Sequence, residues 1–281
     1  MTRRVRPIPD GAKQNNHGLW LAAVGLVIGL TACDARQGGP GRGAAAPQSD
    51  SVAGAYRAPP FALSIARLGG GRISLTGMAQ PGARIRLATP NGEAVFAGVS
   101  AKGNWRLALS GSTELRLFGL SMLEAGRDIQ SEGYLAVTPT GRAAQLRAGA
   151  GAMALETGGA SPRLSAVDFD RKGGVVVSGD GPPGSTLVLS VDGVRRARFA
   201  AGVDARFSQP LDEPLAAGLH NFEIDGRQPG RRIDAMIGPA EPPLDGPFRA
   251  RRLPGGWRID WVTPGGGVQT TLLFDPGDSA S

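Results

Sequence analysis

The sequence is poor in the residues on which catalytic and metal sites depend. It holds one cysteine and two histidines among 281 residues, and aromatic residues make up only 5%. A lone cysteine excludes an internal disulfide, and a zinc site would need clustered cysteine and histidine ligands. A catalytic triad would have to use His220, because His17 lies near the N-terminus, and no Gly-x-Ser-x-Gly elbow precedes it. The sequence therefore predicts no enzyme, no metal and no cofactor.

The acidic residues also form no complete motif. Asp168 and Asp170, followed by Gly173 and Gly174, are similar to the start of a calcium loop, but the twelfth position is Gly179 instead of a bidentate glutamate. We interpret this segment as an interdomain turn. Carboxylate pairs for glycoside hydrolysis are assembled in space and stay open, although no long loop presents such a pair.

Long apolar runs are missing too, and turn formers are abundant. The 44 glycines and 22 prolines disfavour long helices and favour short strands joined by turns, so the sequence predicts an all-β protein. The one notable apolar run, Gly18–Leu30, is shorter than the roughly 20 residues that span a bilayer. It has the length of the apolar region of a signal peptide.

The segment around the single cysteine explains that run. Basic residues precede it, and Leu30-Thr31-Ala32-Cys33 follows it (Arg3, Arg4, Arg6 and Lys13 come before). This arrangement resembles the lipobox of bacterial lipoprotein signal peptides. The resemblance implies removal of residues 1–32, lipidation of Cys33, and attachment to a membrane by that lipid. The alternative, a small buried cysteine, leaves Thr31 and Ala32 unexplained.

Export and sorting follow from the same segment. The basic N-terminus predicts a cytoplasmic start and export of everything beyond Cys33, so we expect a protein of the cell envelope that faces the periplasm. Arg3-Arg4 is also compatible with twin-arginine export, but a dipeptide is a weak match. In the lipoproteins that this segment resembles, an aspartate after the cysteine, here Asp34, favours the inner membrane in some bacteria. The choice between inner and outer membrane stays open.

The net charge is modest once residues 1–32 are removed. The formal charge is +7, and those residues carry four basic and one acidic side chain, which leaves +4. Two arginine clusters could bind anionic lipid or acidic glycan, with solvated strand faces as the alternative (Arg195, Arg196, Arg198 and Arg206; Arg249, Arg251 and Arg252). We expect no nucleic-acid partner for an exported chain. Residues 33–60 are rich in glycine, alanine and proline and predict a disordered tether of roughly 30 Å root-mean-square length.

Beyond the tether the sequence repeats. Residues 75–89 and 177–191, which are 102 residues apart, read LTGMAQPGARIRLAT and VSGDGPPGSTLVLSV. Each has a glycine, then a Pro-Gly turn, then an alternating strand, and Asn91-Gly92 or Asp192-Gly193 ends the strand with a second turn. The offset is that of a whole sandwich domain and indicates a duplication.

These motifs, with Gly103-Asn104-Trp105 in the first copy and Gly218-Leu219-His220 in the second, resemble bacterial Ig-like domains. The resemblance implies two tandem β-sandwiches, at residues 61–160 and 161–240. We expect Trp105, Leu107 and Leu109 on one face of a strand, and an edge strand at residues 215–226. Turn chemistry identifies a fold and does not identify a function.

The last residues, 241–281, predict a small three-stranded meander from Phe248 to Phe274. Trp257, Ile259 and Trp261 fall on one face of its middle strand. The two tryptophans could be core residues, sugar platforms or an interface. We therefore expect a non-enzymatic envelope lipoprotein that binds proteins. The alternative is a glycan or peptidoglycan binder that uses Trp257, Trp261 and Arg258.

Overall fold

The computed structural model describes residues 56–156 and 161–275. Within them the chain forms antiparallel sheets built from twenty strands, with no α-helix. The predicted all-β class is confirmed. Cys33, the predicted signal peptide and almost all of the predicted tether lie outside the described residues, so those predictions stay predictions.

The first sandwich packs a three-stranded sheet 1 against a larger sheet 2. Sheet 1 has the order β1-β2-β5, and sheet 2 has the order β10-β9-β8-β6-β3-β4 with β7 also paired to β6. The strands are β1 (Phe61–Arg67), β2 (Ile73–Met78), β3 (Arg84–Ala88), β4 (Ala94–Gly98), β5 (Asn104–Leu109), β6 (Arg116–Glu124), β7 (Arg127–Gln130), β8 (Tyr134–Val137), β9 (Ala143–Leu146) and β10 (Met153–Ala154).

Period-two alternation builds the first core. In β5, Trp105, Leu107 and Leu109 are buried, while the residues between them are exposed. They meet Ile85 and Met122 from sheet 2. The predicted face of β5 is confirmed, because alternation places every second side chain of a strand on the same side of its sheet.

The second sandwich packs sheet 3, of order β15-β12-β11-β20-β19-β18, against sheet 4, of order β14-β13-β16-β17. Its core includes Val177, Leu189, Phe207, Phe222 and Ile224. The strands are β11 (Arg163–Asp170), β12 (Val175–Asp180), β13 (Thr186–Val191), β14 (Val194–Ala200), β15 (Arg206–Pro210), β16 (Gly218–Asp225), β17 (Pro229–Ile237), β18 (Phe248–Leu253), β19 (Gly256–Val262) and β20 (Val268–Phe274).

The C-terminal meander is present as β18, β19 and β20, but it is not a separate sheet. Strand β20 pairs with β11, from Ala166↔Leu273 to Asp170↔Gln269, so the meander doubles the width of sheet 3. A three-stranded sheet alone is marginal in water, and joining a larger sheet supplies the missing backbone partners.

A third core joins the two sandwiches. Ala136 and Leu146 of sheet 2 meet Ile259, Trp261 and Leu273 of sheet 3 in this junction core. Strands β8 and β11 are therefore buried on both faces: in β8, Leu135 and Val137 belong to the first core, while Ala136 belongs to the junction core. The four sheets stack in the order 1, 2, 3, 4.

The duplication is visible at atomic level. Gly77 in β2 and Gly179 in β12 each lie opposite a bulge of the neighbouring strand. A Cβ at Gly77 would collide with the carbonyl oxygen of Phe61, and one at Gly179 with that of Arg163. The aromatic ring beyond each glycine is Trp105 in the first copy and Phe207 in the second, again 102 residues apart.

Two predictions about local structure are wrong. Residues 215–226 contain β16, which is an interior strand between β13 and β17, whereas we predicted an edge strand. The edge is β17, whose Pro-Gly start and charged residues hide the alternation of Ile233, Ala235 and Ile237. Asp168 lies inside β11 and is buried instead of lying in an interdomain turn, because hydrogen bonds satisfy its carboxyl group there.

Candidate functional site

The three residues that the sequence suggested for binding lie on β19 but point to opposite sides of sheet 3. Trp257 and Trp261 pack on the side of the junction core, with Trp261 completely buried. Arg258 lies on the other side, where its guanidinium is 5.6 Å from the ring centroid of Phe169. The structure therefore does not bring the two tryptophans and Arg258 together on one surface.

Trp261 is a packing residue of the junction core. Its ring meets Tyr134 of the first sandwich edge to face, at 5.8 Å between centroids, and its Nε1–H donates to Thr271 Oγ1 at 3.1 Å. The ring has no exposed surface to offer to a sugar. Trp257 is half-buried, and the Arg252 guanidinium stands 5.5 Å from its ring centroid.

Arg258 is held by Asp260. Two nitrogens of Arg258 lie 3.0 and 2.9 Å from Asp260 Oδ1, and Arg249 Nη2 lies 3.1 Å from Oδ2. Burial alone would raise the pKa of Asp260, but hydrogen bonds from Arg258 and Thr270 outweigh it, so its pKa is lowered. One carboxylate thus serves two arginines. Arg251, the cross-strand neighbour of Arg258, makes no hydrogen bond or ion pair within the described ranges.

Arg251 lines a groove between β17 and the outer strands of sheet 3, which we call the β17 groove. Its volume is about 110 Å³. It forms because sheet 3 has six strands and sheet 4 has four, so β18 and β19 extend past the edge of β17. The groove is lined by apolar residues, two cations and one carboxylate (among them Met236, Leu253, Leu272, Phe274, Arg251, Arg258 and Asp234), and the carboxylate, Asp234, accepts a hydrogen bond from Asn221 Nδ2.

His220 has both ring nitrogens occupied. Nδ1 lies 2.7 Å from Asp192 Oδ2, and Nε2 lies 2.8 Å from the carbonyl oxygen of Ala216. Both partners are acceptors, so the ring satisfies both only as an imidazolium. Burial lowers the pKa of His220, but the bonds to Asp192 and Ala216 outweigh that effect and leave the pKa raised. The ring therefore links the turn at Asp192 to the loop at Ala216, and neither of its nitrogens is free for catalysis.

Asp168 is the most perturbed carboxyl group described. It accepts hydrogen bonds from the Ala152 amide (2.7 Å), Gln269 Nε2 (3.0 Å) and Thr271 Oγ1. Burial raises the pKa of Asp168 to about 6, against the opposing effect of these bonds. Gln269 in turn accepts from the Gly149 amide at 3.0 Å. The network ties the β9–β10 loop of the first sandwich to sheet 3, so its role is structural.

A cavity of about 170 Å³ at the same junction is lined by charged side chains, most of which have hydrogen-bond partners; the exception is Glu156, whose buried Oε2 accepts no hydrogen bond and lies 3.9 Å from Arg142 Nε. Arg206 donates to the carbonyl oxygens of Ala154 and Leu155, at 3.3 and 3.4 Å, and Arg163 lies 2.8 Å from Asp180. Among residues 56–156 and 161–275, no three His, Cys, Asp or Glu side chains are placed to hold a metal ion. No helix in those ranges is long and apolar enough to cross a membrane.

The two arginine clusters are divided by the fold. Arg195, Arg196 and Arg198 lie on β14, the far edge of sheet 4, whereas Arg206 lies on β15 of sheet 3. On β18, Arg249 and Arg251 share one face and Arg252 lies on the other. What the sequence missed is β17, and the signal that could have found it is the alternation of Ile233, Ala235 and Ile237.

Comparisons with known proteins add little to this description. No protein family and no curated protein sequence matches the chain. Among solved structures, the chain is similar to the central fibronectin-III array of RIM-binding protein, with 12% identity over 75% of this chain and 74% of that one, and a TM-score of 0.26. It is also similar to the BSP domain of a biofilm-associated protein, with 14% identity over 66% of this chain and 30% of that one, and a TM-score of 0.24. The chain is an array of Ig-like β-sandwiches on the evidence of its own strand order and cores.

Proposed function

We propose that this protein is a lipoprotein of the bacterial cell envelope, and that its sandwiches bind other envelope proteins without catalysing a reaction. In this proposal Cys33 carries the lipid, residues 34–60 are the tether, and the sandwiches face the periplasm. The lipobox-like segment supports the anchor, and the length of the tether would lift the sandwiches clear of the lipid headgroups.

The proposal that the sandwiches bind other proteins rests on how their polar side chains are used. The described residues best suited to proton transfer, His220 and Asp168, are each held by structural hydrogen bonds. What the second sandwich leaves open is backbone and apolar surface, at β17 and the β17 groove. Open strand edges and apolar grooves are surfaces through which proteins bind other proteins.

The anchor is tested by changing Cys33 to Ser. In cells fed an alkyne fatty acid, we expect label on the parent protein and none on Cys33→Ser, and we expect the variant to leave the membrane fraction. Ala32→Ser, which keeps a small residue beside the cysteine, is the matched control. Equal labelling and equal fractionation of Cys33→Ser and the parent would refute the anchor.

Partners are tested by cross-linking in intact cells followed by mass spectrometry. We expect envelope proteins cross-linked through the sandwiches. Glycan binding is the second candidate, supported only by the half-buried Trp257 and its neighbour Arg252. Retention on purified cell wall that is lost in Trp257→Ala and kept in Arg195→Ala would favour the glycan.

A further inference from the structure

The edge of β17 is open. Strand β17 is the last strand of sheet 4 and pairs only with β16 within the part of the chain that the structure describes. An edge strand presents unpaired N–H and C=O groups, which can hydrogen-bond with another extended chain. Met236 of β17 and its cross-strand partner Leu219 of β16 are apolar and exposed, at 57% and 64%.

The first sandwich shows the same position filled. Strand β8 pairs with the start of β6 as the end of β17 pairs with the start of β16: Leu117↔Ala136 corresponds to Leu219↔Met236. In the first sandwich β9 pairs with the free side of β8, from Tyr134↔Leu146 to Val137↔Ala143. No described strand takes the place of β9 beside β17. The duplicated fold therefore accepts an additional strand at this edge.

The side chains at the corresponding positions of the two sandwiches differ in exposure. Leu117 and Ala136 are 1% and 0% exposed, because the junction core covers them, while their counterparts Leu219 and Met236 are exposed. The surface of sheet 3 that covers the first pair is used up inside each molecule. A second copy of this chain therefore cannot offer that surface to Leu219 and Met236, which favours a different protein as the occupant.

The chemistry of the groove selects the occupant. A strand added about 4.8 Å from β17 would lie above β18 and β19. Side chains of sheet 3 that line this space are Leu253 and Leu272, which are apolar, and Arg251, a cation without a partner among the described residues. Arg258 beside it already shares Asp260 with Arg249. An incoming strand would bury apolar side chains and neutralise Arg251 with a carboxylate.

We propose that the free edge of β17 binds an extended segment of a partner protein as a fifth strand of sheet 4, and that this segment alternates apolar and acidic residues so that a carboxylate faces Arg251. The proposal deepens the proposed function, since it names the partner's chemistry and the surface that binds it.

The experiment uses the full chain with Cys33→Ser and a fluorescein-labelled peptide, Val-Glu repeated four times, followed by fluorescence anisotropy. We expect saturable binding of this probe, at least tenfold weaker binding by Arg251→Glu, and less than twofold change for Arg195→Glu. Arg195 is the matched control because it is exposed on β14, the opposite edge of the same sheet. Equal weakening by both variants would mean that net charge alone attracts the probe, and would overturn the proposal.

Two further probes test the backbone and the charge. Proline at alternate valines removes the N–H groups at those positions and interrupts the ladder of hydrogen bonds to a strand edge, so we expect that peptide to bind at least tenfold more weakly, and a Val-Lys peptide should not bind. Hydrogen exchange should show protection of the β17 amides when the Val-Glu peptide is added. Binding of the proline peptide as tight as the parent peptide, or exchange unchanged in β17, would overturn strand addition.

Other occupants of the edge have distinct signatures. A dimer in sedimentation velocity that Arg251→Glu dissociates would assign the edge to a second copy and overturn the proposal. A tenfold gain in probe affinity on deleting residues 276–281 would assign it to the chain's own C-terminal residues, with the same consequence. Either result leaves the lipid anchor and cross-linked partners, which are measured separately, unaffected.

Discussion

The two sandwiches share their turns and their core but differ at the strands that were added to them. Gly77 and Gly179, and Trp105 and Phe207, occupy matching positions 102 residues apart. The first sandwich extends sheet 2 with β9 and β10, whereas the second extends sheet 3 with β18, β19 and β20. The two extensions pack on each other and form the junction core. Duplication thus preserved the core, and the added strands decided which surfaces are buried and which are open.

The strongest way to break this arrangement is to empty the junction core. Trp261→Ala removes a fully buried ring that contacts both sandwiches, and we expect a loss of about 3–5 kcal/mol in the free energy of unfolding, measured by urea denaturation. Trp257→Ala, four residues away and half-buried, is the control and should cost about 1 kcal/mol. Equal losses for the two variants would contradict the junction as described.

The equivalence of the two copies is tested at the paired glycines. Gly77→Ala and Gly179→Ala each place a methyl group against a carbonyl oxygen and an aromatic ring, so we expect each to lower the free energy of unfolding by about 1–3 kcal/mol. Gly98→Ala, with no atom within 4 Å of its added Cβ, should stay within about 0.5 kcal/mol of the parent. A large loss at only one of the paired glycines would show that the copies are not structurally equivalent.

The junction should also be sensitive to pH. The pKa of Asp168 is raised to about 6 by burial, so the folded protein binds its proton more tightly than the unfolded chain does. Its contribution to stability is therefore complete below about pH 4 and is lost as the pH rises through 6, with a slope of at most about 1.4 kcal/mol per pH unit.

The measurement is urea denaturation of the parent and Asp168→Asn at pH 5, 6 and 7. The unfolding free energy of the parent should fall relative to that of Asp168→Asn as the pH rises from 5 to 7, because Asp168 becomes ionised in the parent and the variant has no proton to release. Arg147, whose charge slightly lowers the pKa of Asp168, stays unchanged in both proteins. A difference that is constant over this range would contradict the raised pKa.

The smallest expected effect concerns His220, whose hydrogen bonds to Asp192 and Ala216 belong to the second sandwich alone. His220 corresponds to Phe118 at the 102-residue offset, so the first sandwich has no titrating group there. The pKa of His220 is raised, so its contribution is complete below its unfolded pKa and is lost as the pH rises through the folded value. In the parent protein we expect the free energy of unfolding to fall by less than about 1 kcal/mol between pH 6 and 8, measured as a fall in Tm. We expect His220→Gln to lack this fall. An equal fall in Tm in His220→Gln and in the parent would contradict a contribution of His220 to stability.

The sequence was sufficient for some elements and misleading for others. The alternation in β5 and the Asp192-Gly193 turn follow from local chemistry, and the structure has both; Asp192 and Gly193 have φ of 55° and 75°, as a tight hairpin turn requires. Strand β17 was missed because Arg231, Arg232 and Asp234 interrupt its apolar pattern. Asp168 was placed in a turn because a charge inside a buried strand is unexpected until its hydrogen-bond partners are known.

Residue chemistry over short distances is enough to specify the strands, the turns and the duplication, since backbone preference and side-chain alternation act within a few residues. It also carries the lipobox-like signal at Cys33. Which side of β19 faces the junction core, how far sheet 3 extends past the edge strand β17, and what surrounds Asp168 depend on residues far apart in the chain, such as Leu146 and Trp261. These properties arise only when the sheets pack, because burial and strand pairing are set by the partners that meet in space.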